Sequence, residues 1–253
     1  MEHKLLVHQL EFYKEFFENA LVWAIAIVSG FGAGKSYTLA TVAVLGILRF
    51  KCNVAVYSVT FDLLKLVNVP QICALLEKFG IKYSLNKQDM IITVKGYGQI
   101  ILRSLDNPAR IIGYEAGISL ADELDTLPSN KAMQAWNMII ARNRQIMPNG
   151  MRNKVGVFTT PEGFNFVYER WEKQKTTGYK LIKAKTTDNP YLPEDYVQNL
   201  LDTYPENLID AYLKGEFVNL NGNSVYYSFN RASHHADFDD LMLDQASSNV
   251  VSL

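Results

Sequence analysis

One stretch constrains this chain more than any other. Ser29-Gly30-Phe31-Gly32-Ala33-Gly34-Lys35-Ser36 follows an unbroken apolar run at residues 23–28 and opens a helical pattern that continues to about Phe50. A continuous apolar run suits a strand buried on both faces, as in a parallel sheet. Glycines allow the backbone to wrap an anion so that several N–H groups point inward. The helix N-terminus adds the positive end of its dipole. Strand, glycine-rich turn and helix in this order make a phosphate-binding loop. Gly34-Lys35-Ser36 matches the end of that pattern. Its first position holds Ser29 where glycine is usual, and Gly30 and Gly32 supply the flexibility. Lys35 is expected on the β- and γ-phosphates and Ser36 on Mg²⁺. Residues 29–36, with Tyr37 after them, form the expected nucleotide site, and ATP and Mg²⁺ the expected cofactors.

A second apolar strand, Ile118-Ser119-Leu120-Ala121, ends in Asp122-Glu123. Adjacent carboxylates at a strand end suit phosphoryl transfer, with Asp122 holding the metal and Glu123 polarising the attacking water. Asp125 nearby is expected to be structural. A third strand, Val155-Gly156-Val157-Phe158, ends in Thr159-Thr160-Pro161. These hydroxyls read equally as turn chemistry or as a sensor that couples γ-phosphate loss to movement. Further strands are expected at residues 53–60, 90–94 and 99–103, with Lys95-Gly96-Tyr97-Gly98 as hairpin material. Helices are expected at residues 4–18, 61–79 with an interruption near Pro70, 130–143, and twice within 193–214, Pro205 starting the last. Alternating strands and helices imply a mainly parallel α/β sheet with helices on both faces, whose ligands bind beyond the carboxyl ends of the strands.

In sequence order these motifs resemble the N-terminal packaging ATPase domain of the large terminase subunits of tailed bacteriophages. Gln9 in Gln9-Leu10-Glu11-Phe12-Tyr13 resembles the family's adenine-binding glutamine. Residues 101–115 resemble the lead into the Asp-Glu strand, and Thr159-Thr160-Pro161 the coupling motif. Asn189-Pro190-Tyr191-Leu192-Pro193 and Leu213-Lys214-Gly215-Glu216-Phe217 resemble the lid, and residues 225–231 the linker to a nuclease domain. The resemblance implies a P-loop NTPase of the additional-strand catalytic-glutamate type with a small lid subdomain. It divides the chain into an ATPase core at 1–163, a lid at 164–217, and a linker and tail at 218–253. It implies an ATP-hydrolysing motor that moves double-stranded DNA into a procapsid, working as a ring on the portal protein with a small terminase subunit, in the host cytoplasm. A helicase-like or RecA-like ATPase and a non-hydrolysing nucleotide-binding module are the alternatives.

Phe31 stands where many terminases carry an arginine. The stabilising arginine must then come from elsewhere, and Arg103 and Arg110 are the candidates in cis or in trans. Only 38 residues follow Gly215, too few for an RNase H-like nuclease, so no nuclease activity is expected. The formal net charge of −1 limits DNA contact to local patches. The cations between Arg170 and Lys185 are interleaved with Glu169 and Glu172 and read as a solvated face. Cys52 and Cys73 form no metal pattern or disulfide framework. The longest apolar run, residues 20–28, is too short to span a bilayer, and the N-terminus does not read as a signal peptide.

Overall fold

The structure is a computed structural model that describes residues 4–220. Apolar side chains alternate across strand β1 (Ala24–Ser29), and every one of its residues is buried. Ile25 and Ile27 enter one core with Phe12, Phe16, Leu39, Ile47 and Ile72. Ala24, Ala26 and Val28 enter a second core with Trp136, Ile139, Phe166 and Trp171. A strand that feeds two cores must lie inside a sheet covered on both faces.

The other strands are β2 (Val54–Ser58), β3 (Tyr83–Asn86), β4 (Ile91–Val94), β5 (Gly98–Ser104), β6 (Ile118–Asp122), β7 (Lys154–Thr159) and β8 (Tyr179–Ala184). Their order in the sheet is β3-β4-β5-β2-β6-β7-β1-β8. From β5 to β8 every neighbouring pair is parallel, whereas β3 and β4 add an antiparallel hairpin. Helices α1 (Val7–Phe17) and α2 (Lys35–Phe50) cover the first face, with α4 (Val69–Lys78) beyond them. Helix α5 (Ser129–Arg142) covers the other. Helices α6 (Tyr196–Thr203) and α7 (Glu206–Tyr212) follow the last strand. None of these helices is long and apolar enough to cross a membrane.

One element was not anticipated from the sequence. Tyr179–Ala184 lies in the segment expected to form a lid, yet it pairs with β1 from Ala24↔Tyr179 to Ser29↔Ala184. Its strand character is masked in the sequence by Lys180 and Lys183. The expected helix interruption near Pro70 is present. A single turn, α3 (Phe61–Leu63), runs into a widened turn at Leu64–Asn68, and Pro70 occupies the first turn of α4. Pro70 has no N–H to give to the preceding turn, and the extra residue of the widened turn accommodates that loss. It also buries Asn68 completely. The expected linker at residues 225–231 and the acidic tail with Asp237, Asp239, Asp240 and Asp244 lie outside the described residues.

Candidate nucleotide site

The glycine-rich turn leaves the carboxyl end of β1 and enters α2 through Gly34, whose φ of +87° places it in the left-handed region. Gly32, at +74°, needs the same freedom. Every carbonyl from Ser29 to Gly34 accepts a bond from a side chain. Lys35 Nζ donates to Ser29 O and Gly30 O at 3.2 Å each. Thr186 Oγ1 donates to Phe31 O at 2.7 Å, and Asn189 Nδ2 to Gly32 O at 2.6 Å. His8 Nε2 lies 2.9 Å from Ala33 O and must carry the proton there, since a carbonyl only accepts. Gln9 Nε2 reaches Gly34 O at 3.4 Å and Thr38 Oγ1 at 3.1 Å. With the carbonyls held outward, the N–H groups of Gly32, Ala33, Gly34, Lys35 and Ser36 meet no protein acceptor among the described residues. Successive free N–H groups at a helix start are an anion-binding nest.

Gln9 therefore braces the loop in this structure. Its Oε1 accepts the Leu6 N–H at 2.9 Å, so both ends of the amide are engaged within the chain. Phe31 stacks on Tyr212 with ring centroids 4.7 Å apart, and its N–H donates to Tyr212 O at 2.7 Å. Tyr37 is exposed on the first turn of α2.

The carboxylates come from β6. Asp122 is buried; its Oδ2 accepts from Asn68 Nδ2 at 3.0 Å, and its Oδ1 has no donor among the described residues. Burial, and then the neighbouring Glu123, push its carboxyl up to about 7, with Asn68 and Lys35 acting in the opposite sense. Glu123 has φ +52°, a left-handed conformation that costs a residue with a Cβ roughly 1–2 kcal/mol. Its N–H donates to Phe158 O at 2.7 Å. Glu123 Oε2 accepts the Thr160 N–H at 2.8 Å, and Thr159 Oγ1 and Thr160 Oγ1 lie 3.4 and 3.3 Å from the carboxylate. Lys35 Nζ stands 3.8 Å from Glu123 Oε1. Burial lowers the Lys35 ammonium below its ordinary value, while Glu123 and Asp122 oppose that shift. The ends of β1, β6 and β7 thus converge in one bonded cluster.

Asp125 lies beside this cluster and is fully buried. Its Oδ1 accepts the Val167 N–H at 2.8 Å and its Oδ2 the Glu162 N–H at 3.2 Å, while its own N–H donates to Thr159 Oγ1 at 3.1 Å. It pins the segment after β7 to the loop after β6.

Arg103 is not drawn into the cluster. Its Nη1 donates to Asp89 O and Leu102 O, and its guanidinium covers the Tyr114 ring at 5.4 Å. Arg110 ends a short turn, Pro108–Arg110, and its side chain lies outside those described. Three of the lysines of the 170–185 segment are paired within the chain. Lys173 pairs with Glu169, Lys180 with Glu11 and Glu15, and Lys183 with Glu172 and Glu216.

No group of three or more His, Cys, Asp or Glu residues among those described could hold a metal by itself. The donors present suit Mg²⁺ nonetheless. It binds through one or two carboxylates and substrate phosphates rather than a protein cage, and Asp122 offers a buried oxygen without a donor.

The nest, the lysine and the paired carboxylates at the ends of parallel strands define a P-loop NTPase. Residues 26–233 match the family described as "Terminase large subunit, T4likevirus-type, N-terminal", and the chain belongs to that family. Solved structures share the fold. The large terminase of a thermophilic bacteriophage superposes with a TM-score of 0.70 at 17% identity, over 85% of this chain and 54% of that one. The same terminase has been solved with ATP-γ-S. The large terminase ATPase domain of Thermus phage P74-26 gives 0.61 at 16% identity, covering 85% and 95%. The HK97 bacteriophage large terminase gives 0.64 at 11% identity, covering 86% and 51%. The chain thus spans about half the length of full large terminases it resembles. No curated protein sequence matches it.

His8, Asn68 and Thr186 escaped the sequence reading, and Asn189 entered it only within the lid resemblance, not as a partner of the loop. Only Asn68 carried a local signal, a polar residue inside an otherwise helical pattern just ahead of Pro70.

Proposed function

We propose that this chain hydrolyses ATP with Mg²⁺ and is the motor domain of a packaging terminase. The observation that carries the reading is the cluster of Lys35, Glu123 and Thr160, with Lys35 Nζ 3.8 Å and the Thr160 N–H 2.8 Å from the two oxygens of one carboxylate. The five free N–H groups from Gly32 to Ser36 hold the phosphates, and Lys35 leaves its loop carbonyls to meet the β- and γ-oxygens. Ser36 and Asp122 hold the cation, which when bound neutralises charge on the phosphate oxygens. Glu123 orients the attacking water and accepts its proton. Thr159 and Thr160, bonded to that same carboxylate, transmit loss of the γ-phosphate into the segment pinned by Asp125. Residues 186–217 act as the lid through their bonds to the loop. The family to which the chain belongs supplies the rest of the proposal: double-stranded DNA as cargo, and a ring of subunits acting in the host cytoplasm on a portal with a small terminase subunit.

Glu123→Gln tests the assignment. The amide keeps the side chain's size but cannot take a proton. Phosphate release should fall by about 10²-fold or more, with ATP-γ-S binding retained. Unchanged release in this variant would remove Glu123 from the mechanism, and no release by the wild-type chain, with or without DNA, would favour a nucleotide-binding module.

A further inference from the structure

Asn68 is fully buried at the end of the widened turn Leu64–Asn68, and its amide nitrogen holds Asp122 from 54 positions away. The remaining oxygen of each partner, Asn68 Oδ1 and Asp122 Oδ1, is buried and has no donor among the described residues. Buried polar atoms are nearly always bonded, and exceptions call for an explanation. Here two exceptions belong to one hydrogen-bonded pair at the carboxyl end of β6. Widened turns inside helices gather at functional sites, and this one sets an amide against a carboxylate.

We propose that Asn68 is a positioning residue for the nucleotide's divalent cation. Its Nδ2 fixes Asp122 by one oxygen and leaves the other for the hydrated cation, and its Oδ1 accepts from a water of that hydration shell. The inference rests on the ATP–Mg²⁺ reading of the site. Hydrated Mg²⁺ meets the demand because it retains several waters, each an O–H donor, and uses few protein ligands. An outer partner that orients a metal-binding carboxylate typically contributes 10–100-fold to metal affinity.

The test is binding of ATP-γ-S to the full chain by calorimetry, with Mg²⁺ titrated upward from excess EDTA. Wild type is compared with Asn68→Leu, which keeps the branched shape but is bulkier, and Asn68→Ala. Affinity in EDTA should stay close to wild type, because the nest and Lys35 are untouched. The Mg²⁺ concentration that gives half the gain in affinity should rise roughly tenfold or more. A merely structural asparagine would weaken binding equally with and without Mg²⁺, and that result overturns the proposal. So does an unchanged Mg²⁺ midpoint in a variant with wild-type thermal unfolding. If neither variant folds, Asn68→Ser decides by the same midpoint. Failure of the wild-type chain to bind nucleotide, or binding indifferent to Mg²⁺, instead overturns the ATP–Mg²⁺ reading and the Asn68 role with it.

Discussion

At the scale of single residues, Asp125 separates structure from chemistry within a crowded acidic cluster. Its carboxylate takes two backbone N–H bonds, which favour the ionised form, yet burial outweighs them and raises its pKa from 3.8 to about 6. The folded chain therefore holds a proton on Asp125 where the unfolded chain has released it. The stabilising contribution is complete below about pH 4 and is lost as pH rises through about 6. Asp125→Asn removes that dependence. Unfolding by denaturant should show the wild type faring better against the variant at pH 5 than at pH 7.5, by about 1 kcal/mol. Asp122 and Glu162 are raised in the same direction but are present in both proteins and largely cancel. A stability gap that does not change with pH would show that Asp125 is ionised throughout.

At the scale of elements, the phosphate nest is shaped from outside its own motif. Helix α1 supplies His8 and Gln9 to the carbonyls at the end of the turn, and the segment after β8 supplies Thr186 and Asn189 to those in the middle. The fit is close. A Cβ on Gly30 would lie 2.5 Å from both Thr186 Oγ1 and Tyr212 O, and one on Gly215 2.5 Å from Ala184 O. Loss of the Asn189 bond should let the Gly32 peptide turn and spoil the nest. Asn189→Ala is expected to weaken ATP-γ-S binding by about fivefold, the equivalent of about 1 kcal/mol for one hydrogen bond, with thermal unfolding little altered because Asn189 is not part of either core. Equal affinity for variant and wild type would mean that the loop holds its shape unaided. The same elements show what the sequence could reveal. Lys35 with Ser36, and Asp122 with Glu123, could be placed from the sequence because each pair is adjacent at the end of a strand, and the apolar periods of β1, β6 and β7 marked the strands. The bracing roles were not legible, although Gln9 and Asn189 lie in segments that the sequence singles out. Thr186 and Asn189 lie more than 150 positions from the carbonyls they hold, so their partners exist only once β8 has joined β1. Strand β8 itself was obscured by lysines whose charges are met by acids from α1 and from the 169–216 segment.

At the scale of the whole molecule, the site has more carboxylate than cation. Lys35 is the only cationic side chain within ion-pair distance of Glu123 among the described residues. Phe31 occupies the loop position where many relatives carry an arginine, and it is committed to Tyr212. Several described arginines are engaged elsewhere: Arg103 with Asp89 O, Arg144 with Glu115, Arg152 over Trp23 and Arg49 over Phe17. An arginine at the γ-phosphate accelerates hydrolysis by about 10³–10⁵; if a neighbouring subunit supplies it, the chain should hydrolyse slowly alone and faster beside a neighbour. Phosphate release per chain should rise steeply with protein concentration, in step with self-association measured by sedimentation. Mixing then identifies the donor. Lys35→Ala has no working nucleotide site but keeps its arginines, and Arg110→Ala has the reverse. If Arg110 acts across the interface, each variant should be inactive alone and the mixture should recover activity at the mixed interfaces. Recovery with Arg103→Ala in place of Arg110→Ala would assign the role to Arg103. A rate per chain that stays flat from monomer to assembly would instead require the missing cation to arise within the chain itself.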